Sequence, residues 1–152
     1  METLQEFRAD LPLLVECGLI AIKQGDEESA KKLFNAIGII DPQNMAKKMG
    51  YGLIALHKMD IRTAQKNFNE ILQVEQTNWR AQAFLALSYV LSVLQEGTSD
   101  EKLHALRKGA ELAQEVLDKS DAPTTRQLAQ SLLDWESELM GKVEADKGPV
   151  TH

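Results

Sequence analysis

Displaced by 34 residues, this chain matches itself. Gly18-Leu19-Ile20-Ala21-Ile22 lies over Gly52-Leu53-Ile54-Ala55-Leu56, and the match continues with Asp26 over Asp60, Ala30 over Ala64, Lys32 over Lys66, Phe34 over Phe68, Asn35 over Asn69 and Ile37 over Ile71. Ten of the 24 positions from 17 to 40 are identical to their partners, where chance gives about one or two, so this is an internal repeat. A unit of this length is one helix–turn–helix hairpin, which cannot bury its apolar face alone and stacks on its neighbours.

The period is that of the tetratricopeptide repeat (TPR), and the expected fold is all-α: a right-handed superhelix of about three helical hairpins with a C-terminal capping helix. Gly18 and Gly52 permit close approach of the first helix of each hairpin, with Ala30 and Ala64 as small residues on the second. Phe34 and Phe68 fill the space between layers. Asp26 and Asp60 stand where a carboxylate caps the second helix, and Pro42 after Asp41 ends it. The repeats are expected over about 11–44, 45–78 and 79–123, within a domain 1–142.

The third unit is degenerate. Another step of 34 puts Ala86 beneath Gly52, Leu87 beneath Leu53 and Tyr89 beneath Ala55. Its first helix is expected to be overlong, from Trp79 to Gln95 with Asn78 as cap. A break comes at Gly97-Thr98-Ser99-Asp100, where Ser99 or Asp100 caps a helix from Glu101 to Lys119. Gln114 is the nearest candidate for the place of Phe34 and Phe68. A capping helix over 124–140 presents Leu128, Leu132, Trp135 and Leu139 on one side, and 143–152 reads as a disordered tail.

Composition narrows the function. Hydrophobic residues make up 43% and charged residues 26%, too apolar for a disordered chain. The net charge of -6 and pI of about 5.1 oppose phosphate backbones, so no nucleic-acid partner is expected. Met1–Asp10 has no basic start or apolar run of a signal peptide, and Leu11–Ile22 is too short to span a bilayer. The expected compartment is the cytoplasm, without stable membrane insertion. Cys17 is the single cysteine; it is placed in a packing face with Leu14, Gly18 and Ala21, as a small buried hydrophobe rather than a nucleophile.

No enzyme is expected, and no cofactor or metal. His57, His104 and His152 are far apart and share no metal-ligand spacing with cysteine or carboxylate; His57 suits a helix C-terminus. Glu27-Glu28 and Asp100-Glu101 open helices, where acids help regardless of function. No phosphate loop, nucleophile elbow or paired-cysteine motif occurs. Trp79 and Trp135 read as core or cap residues, with a partner site as the other use of a tryptophan.

The expected site is an apolar groove along the first helices. Its stripe is Val15, Leu19 and Ile22, then Met49, Leu53 and Leu56, then Ala83, Leu87 and Val90. All are apolar, and helices apolar on nearly every side must be covered. Either the protein's own segments or a second copy cover them, or a foreign amphipathic helix does. Lys23, Lys48, His57 and Arg80 stand only at the margins, which disfavours a clamp for a peptide carboxylate.

Three segments carry a family resemblance: Gly18–Pro42, Gly52–Leu72, and Asn78–Leu91, where an Asn-Trp pair opens a very apolar helix. Over about Leu4–Leu139 the chain resembles the small TPR proteins of bacterial type III secretion, the YscG-type needle-subunit chaperones and the related Hrp-family TPR proteins. The resemblance implies a bacterial cytoplasmic chaperone that grips the amphipathic helix of a self-assembling needle subunit in its groove, with a small helical co-chaperone. A homodimer is a possible resting state. A translocator-class secretion chaperone, or a homodimeric TPR scaffold with no export client, are the alternative readings.

Overall fold

A computed structural model describes residues 8–147. Among them there are seven helices and no strand: α1 (Leu11–Lys23), α2 (Glu27–Ile40), α3 (Ala46–His57), α4 (Ile61–Val74), α5 (Trp79–Ser92), α6 (Ser99–Lys119) and α7 (Pro123–Asp146). The fold is the expected all-α, TPR-like succession of three helical hairpins and a C-terminal helix. The chain divides into two compact units, the first ending at Val74 and the second beginning at Glu75. Each has its own apolar core.

In the first unit the repeat is visible atom by atom. Gly25 and Met59, 34 residues apart, both adopt the left-handed conformation, at φ 75° and 59°. Each turns the chain out of the first helix of its hairpin. The amide of the next residue, Asp26 or Asp60, then reaches back to the carbonyl of Ala21 or Ala55, at 2.9 and 2.8 Å. This is a Schellman turn, which satisfies the last carbonyls of a helix. The same two aspartates cap the second helices: Asp26 Oδ1 accepts from Ser29 N at 3.1 Å and Asp60 Oδ1 from Thr63 N at 3.3 Å. One residue thus closes one helix and opens the next; the sequence points to the second role, and the first is seen in the structure.

The phenylalanines act as wedges between glycines. Phe34 is 1% and Phe68 0% exposed, each burial contributing on the order of 2–3 kcal/mol. The ring of Phe34 lies between Gly18 of its own hairpin and Gly50 of the next, while Phe68 lies against Gly52. A Cβ at any of the three glycines would fall within 2.7 Å of a ring carbon. Tyr51 Oη donates to Asn35 Oδ1 at 2.8 Å and seats α3 on α2, and Lys48 meets Glu70 of α4 at 3.3 Å.

The second unit departs from expectation at four places. Helix α5 is not overlong. It stops at Ser92, where successive short-range bonds from Val93, Leu94 and Gln95 to residues three back unwind the chain. Asn78 caps its start as expected, accepting from Ala81 N at 3.0 Å. The cap of α6 is Thr98, whose Oγ1 accepts from Glu101 N at 3.1 Å, and neither Ser99 nor Asp100. Counting from the caps then corrects the aromatic position. Phe34 and Phe68 each lie eight residues past their cap, and so does Leu106, which is 0% exposed, whereas Gln114 is on the surface. Ala86 to Thr98 spans four more residues than Gly52 to Asp60, so a fixed 34-residue step loses register.

Finally, α7 runs through Gly141 to Asp146, well past the expected end at 140, so 143–146 are helix and not tail; residues 148–152 lie outside the described residues. Val143 is buried, and Lys147 meets Asp100 at 2.8 Å. Leu132 and Leu139 are buried on the expected face, with Leu128 and Trp135 half-buried beside them. Trp79 also packs on this core, in line with its expected structural use.

Candidate partner-binding face

The nine residues expected to line a groove divide into two groups. Val15, Leu19 and Ile22 of α1 are half-buried, resting on the core of the first unit while keeping part of their surface in solvent. Met49 and Leu53 of α3 have the same half-buried character, and Leu56 is 7% exposed. Helices α1 and α3 are in direct contact. Five residues of the expected stripe therefore remain partly accessible in the first unit.

The second unit corrects the rest. Ala83 and Val90 are both 0% exposed and belong to its core; Leu87 alone keeps surface. The reason lies in their neighbours. Gly109 of α6 lets the backbones close up, so that a Cβ there would meet Val90 Cγ2 at 3.0 Å and the Ala86 carbonyl at 3.2 Å. In the first two repeats the glycine is on the first helix and the wedge on the second; here they are exchanged. Helix α7 packs on α5 as well as α6, supplying Ala129, Leu132, Leu139 and Val143 to the same core. Sequence periodicity shows that α5 is apolar all round but not that its own chain covers it.

Cys17 is a second correction. It is exposed, not buried. Its equivalent one repeat later is Tyr51, which rests on the preceding hairpin through Asn35; among the described residues no hairpin precedes α1. Leu14, Gly18 and Ala21 do face the core, as expected.

The rim of the first-unit face is charged and ordered. A crevice lined by Ile22, Gly25, Glu27, Ile54, His57 and Lys58 opens where α1 and α3 end and α2 begins. Glu27 Oε1 lies 2.8 Å from Lys31 and 3.1 Å from Lys58. Hydrogen bonds from these two ammonium groups hold its carboxyl below the usual carboxylate range, and its own bond raises Lys31 in turn. His57 ends α3 as expected. A separate polar trough, not anticipated from the sequence, is lined by Asn35, Lys47, Lys48, Tyr51, Asn67 and Glu70 among others. Several of its polar groups are satisfied by one another or by backbone, and its signal in the sequence is the pair of asparagines, Asn35 and Asn67, on successive second helices.

In the second unit a buried polar link joins α5 to α6. Gln82, 5% exposed, donates through Nε2 to Leu112 O at 3.1 Å and Glu115 Oε1 at 2.8 Å. No group of three or more His, Cys, Asp or Glu positioned to hold a metal occurs among the described residues, and no helix there is long and apolar enough to cross a membrane.

Comparison with protein families, with characterised proteins and with solved structures finds no match for this chain.

Proposed function

We propose that the chain is a non-enzymatic binding module whose first unit holds an amphipathic helix of a self-assembling export subunit, as a needle-subunit chaperone of type III secretion does. The observation that carries this reading is the half-buried apolar set on two touching helices: Val15, Leu19 and Ile22 on α1 with Met49 and Leu53 on α3. Side chains of this kind are anchored by their own core and still offer apolar surface, which is what a helix laid in a groove requires. Ala83 and Val90 are removed from the proposed site because they are core, and Leu56 is at most marginal to it.

The chemistry suits such a client. A subunit that polymerises through apolar helix faces aggregates if released early, and covering one face with a matching apolar surface prevents it. Binding also stabilises the chaperone by mass action. The paired charges of Glu27, Lys31 and Lys58 give that surface a polar rim.

The test is co-expression with the small helical products of neighbouring genes, followed by native mass measurement of the purified complex. A one-to-one complex with a helical export subunit is the expected result, and Leu19→Asp or Leu53→Asp is expected to abolish it while helicity persists. If those variants bind normally, the face is elsewhere. A protein that recovers no small helical subunit favours the homodimeric scaffold instead.

A further inference from the structure

One arc of α1 has no partner among the described residues. At about 100° per residue, Leu13, Cys17, Ile20 and Gln24 fall on one stripe, flanked on one side by Glu16 and Lys23. All six are exposed, Leu13 by 59% and Ile20 by 46%. The core-facing residues Leu11, Gly18 and Ala21 and the proposed client face of Val15, Leu19 and Ile22 lie on the rest of the helix. The repeat states what this arc is built for. One repeat later the corresponding residues are Lys47, Tyr51 and Ile54. Lys47 covers Gly38 of α2, Tyr51 bonds Asn35 of α2, and Ile54 is 5% exposed. The arc is therefore a stacking face, and on α1 none of the described residues covers it.

We propose that this face pairs with the same face of a second copy, the two α1 helices running antiparallel. Among the described residues, the other large exposed hydrophobics, Ile39, Val74 and Leu94, are each on a different element or loop. The stripe's best apolar match on this chain is thus itself, as an isologous interface requires.

Charge selects the direction. Glu16 and Lys23 are seven residues apart, so they occupy the same edge of the stripe. In the antiparallel register that sets Cys17 against the partner's Ile20 and Leu13 against the partner's Gln24, Glu16 comes beside the partner's Lys23, twice by symmetry. Parallel pairing would instead put the Glu16–Lys23 edges of the two copies on opposite sides of the contact, so neither Glu16–Lys23 pair could form. Only a few side chains on each copy are covered, well below the roughly 1,200 Å² of a stable interface. The dimer is accordingly weak and concentration-dependent. Because it uses a different arc from the client face, it stands whether or not the client reading does.

Sedimentation equilibrium of the full chain, from micromolar to submillimolar concentration, tests this. The expected result is a reversible rise from the 17.0 kDa monomer toward twice that mass. Glu16→Lys alone or Lys23→Glu alone is expected to weaken dimerisation about tenfold, and the combined exchange to restore it to within about threefold. Circular dichroism checks that these exposed substitutions leave the fold unchanged. Modification of Cys17 by a thiol reagent should slow at least about fivefold as dimer forms, since only the open form presents the thiol. A monomer at every concentration overturns the proposal; the face is then covered by residues 1–7 or reserved for a foreign partner. A dimer indifferent to the charge exchange, with Cys17 freely reactive, also overturns it and moves the contact elsewhere.

Discussion

Replacing Gly50 by alanine adds one methyl group and should cost this protein more than most core truncations of similar size. The new Cβ would stand 2.4 Å from Phe34 Cγ and Cδ1 and 2.5 Å from Cδ2, where real Cβ contacts essentially never fall below 3.0 Å. These carbons are the root of the ring: rotation about χ2 leaves Cγ in place, and a change of χ1 would pull the whole buried ring out of its packed position. Sliding is blocked as well, because the far edge of the ring already faces Gly18 at 2.7 Å from its would-be Cβ. Helices α2 and α3 must part. Overpacking of this kind costs about 1–3 kcal/mol, toward the upper end where the crowded atom cannot yield. Alanine in a helix offsets about 1 kcal/mol relative to glycine. The net expectation is a loss of about 2 kcal/mol. Gly141→Ala supplies the control: it is an exposed glycine inside α7 with nothing within 4 Å of its would-be Cβ, so only the propensity gain of up to about 1 kcal/mol remains. Urea denaturation monitored by far-ultraviolet circular dichroism measures both. Combining Gly50→Ala with Phe34→Leu should cost at least about 1 kcal/mol less than the sum of the single changes, because the smaller side chain vacates the clash. If Gly50→Ala is as stable as the parent, or if the two changes simply add, the wedge-between-glycines account is wrong.

The same geometry sets further expectations. Met59→Gly should stabilise by up to about 1 kcal/mol, since glycine meets no Cβ penalty in the left-handed conformation found there, and thermal unfolding would register it. Gln82→Leu should cost about 1–2 kcal/mol in denaturant titrations by removing a buried link between α5 and α6. For Asp26, the hydrogen bonds from Ser29 lower the folded carboxyl's pKa below its ordinary value. A depressed folded pKa means that its contribution is present above the ordinary carboxylate range and is lost as pH falls through the folded value. Asp26→Asn, which caps without ionising, should therefore flatten the acid limb of the stability profile. An acid limb unchanged by Asp26→Asn would exclude that origin. Arg126→Ala should speed amide exchange at the end of α6, because the guanidinium donates to the carbonyls of Leu117 and Ser120 that close that helix.

What the sequence determined by itself was local and periodic. The 34-residue self-match contained the hairpins, the capping of the second helices by Asp26 and Asp60, the close approach at Gly18 and Gly52 and the space-filling rings of Phe34 and Phe68, because each depends on residues a few positions apart or one repeat apart. Phe34 had a legible role, but its second glycine, Gly50, did not, since nothing local shows that α3 crosses that ring. The third repeat failed where a fixed step met a four-residue insertion; Leu106 is found by counting from Thr98, and Thr98 is recognised as the cap only from where its side chain points. Ala83 and Val90 drop out of the expected stripe for a related reason. An apolar helix announces that it will be covered, and only tertiary structure decides by what: α6 and α7 cover Ala83 and Val90, while no described residue covers the outer arc of α1 at Cys17. Periodicity assigns a residue to a face of its helix. The neighbour on that face is a property of the whole chain's packing.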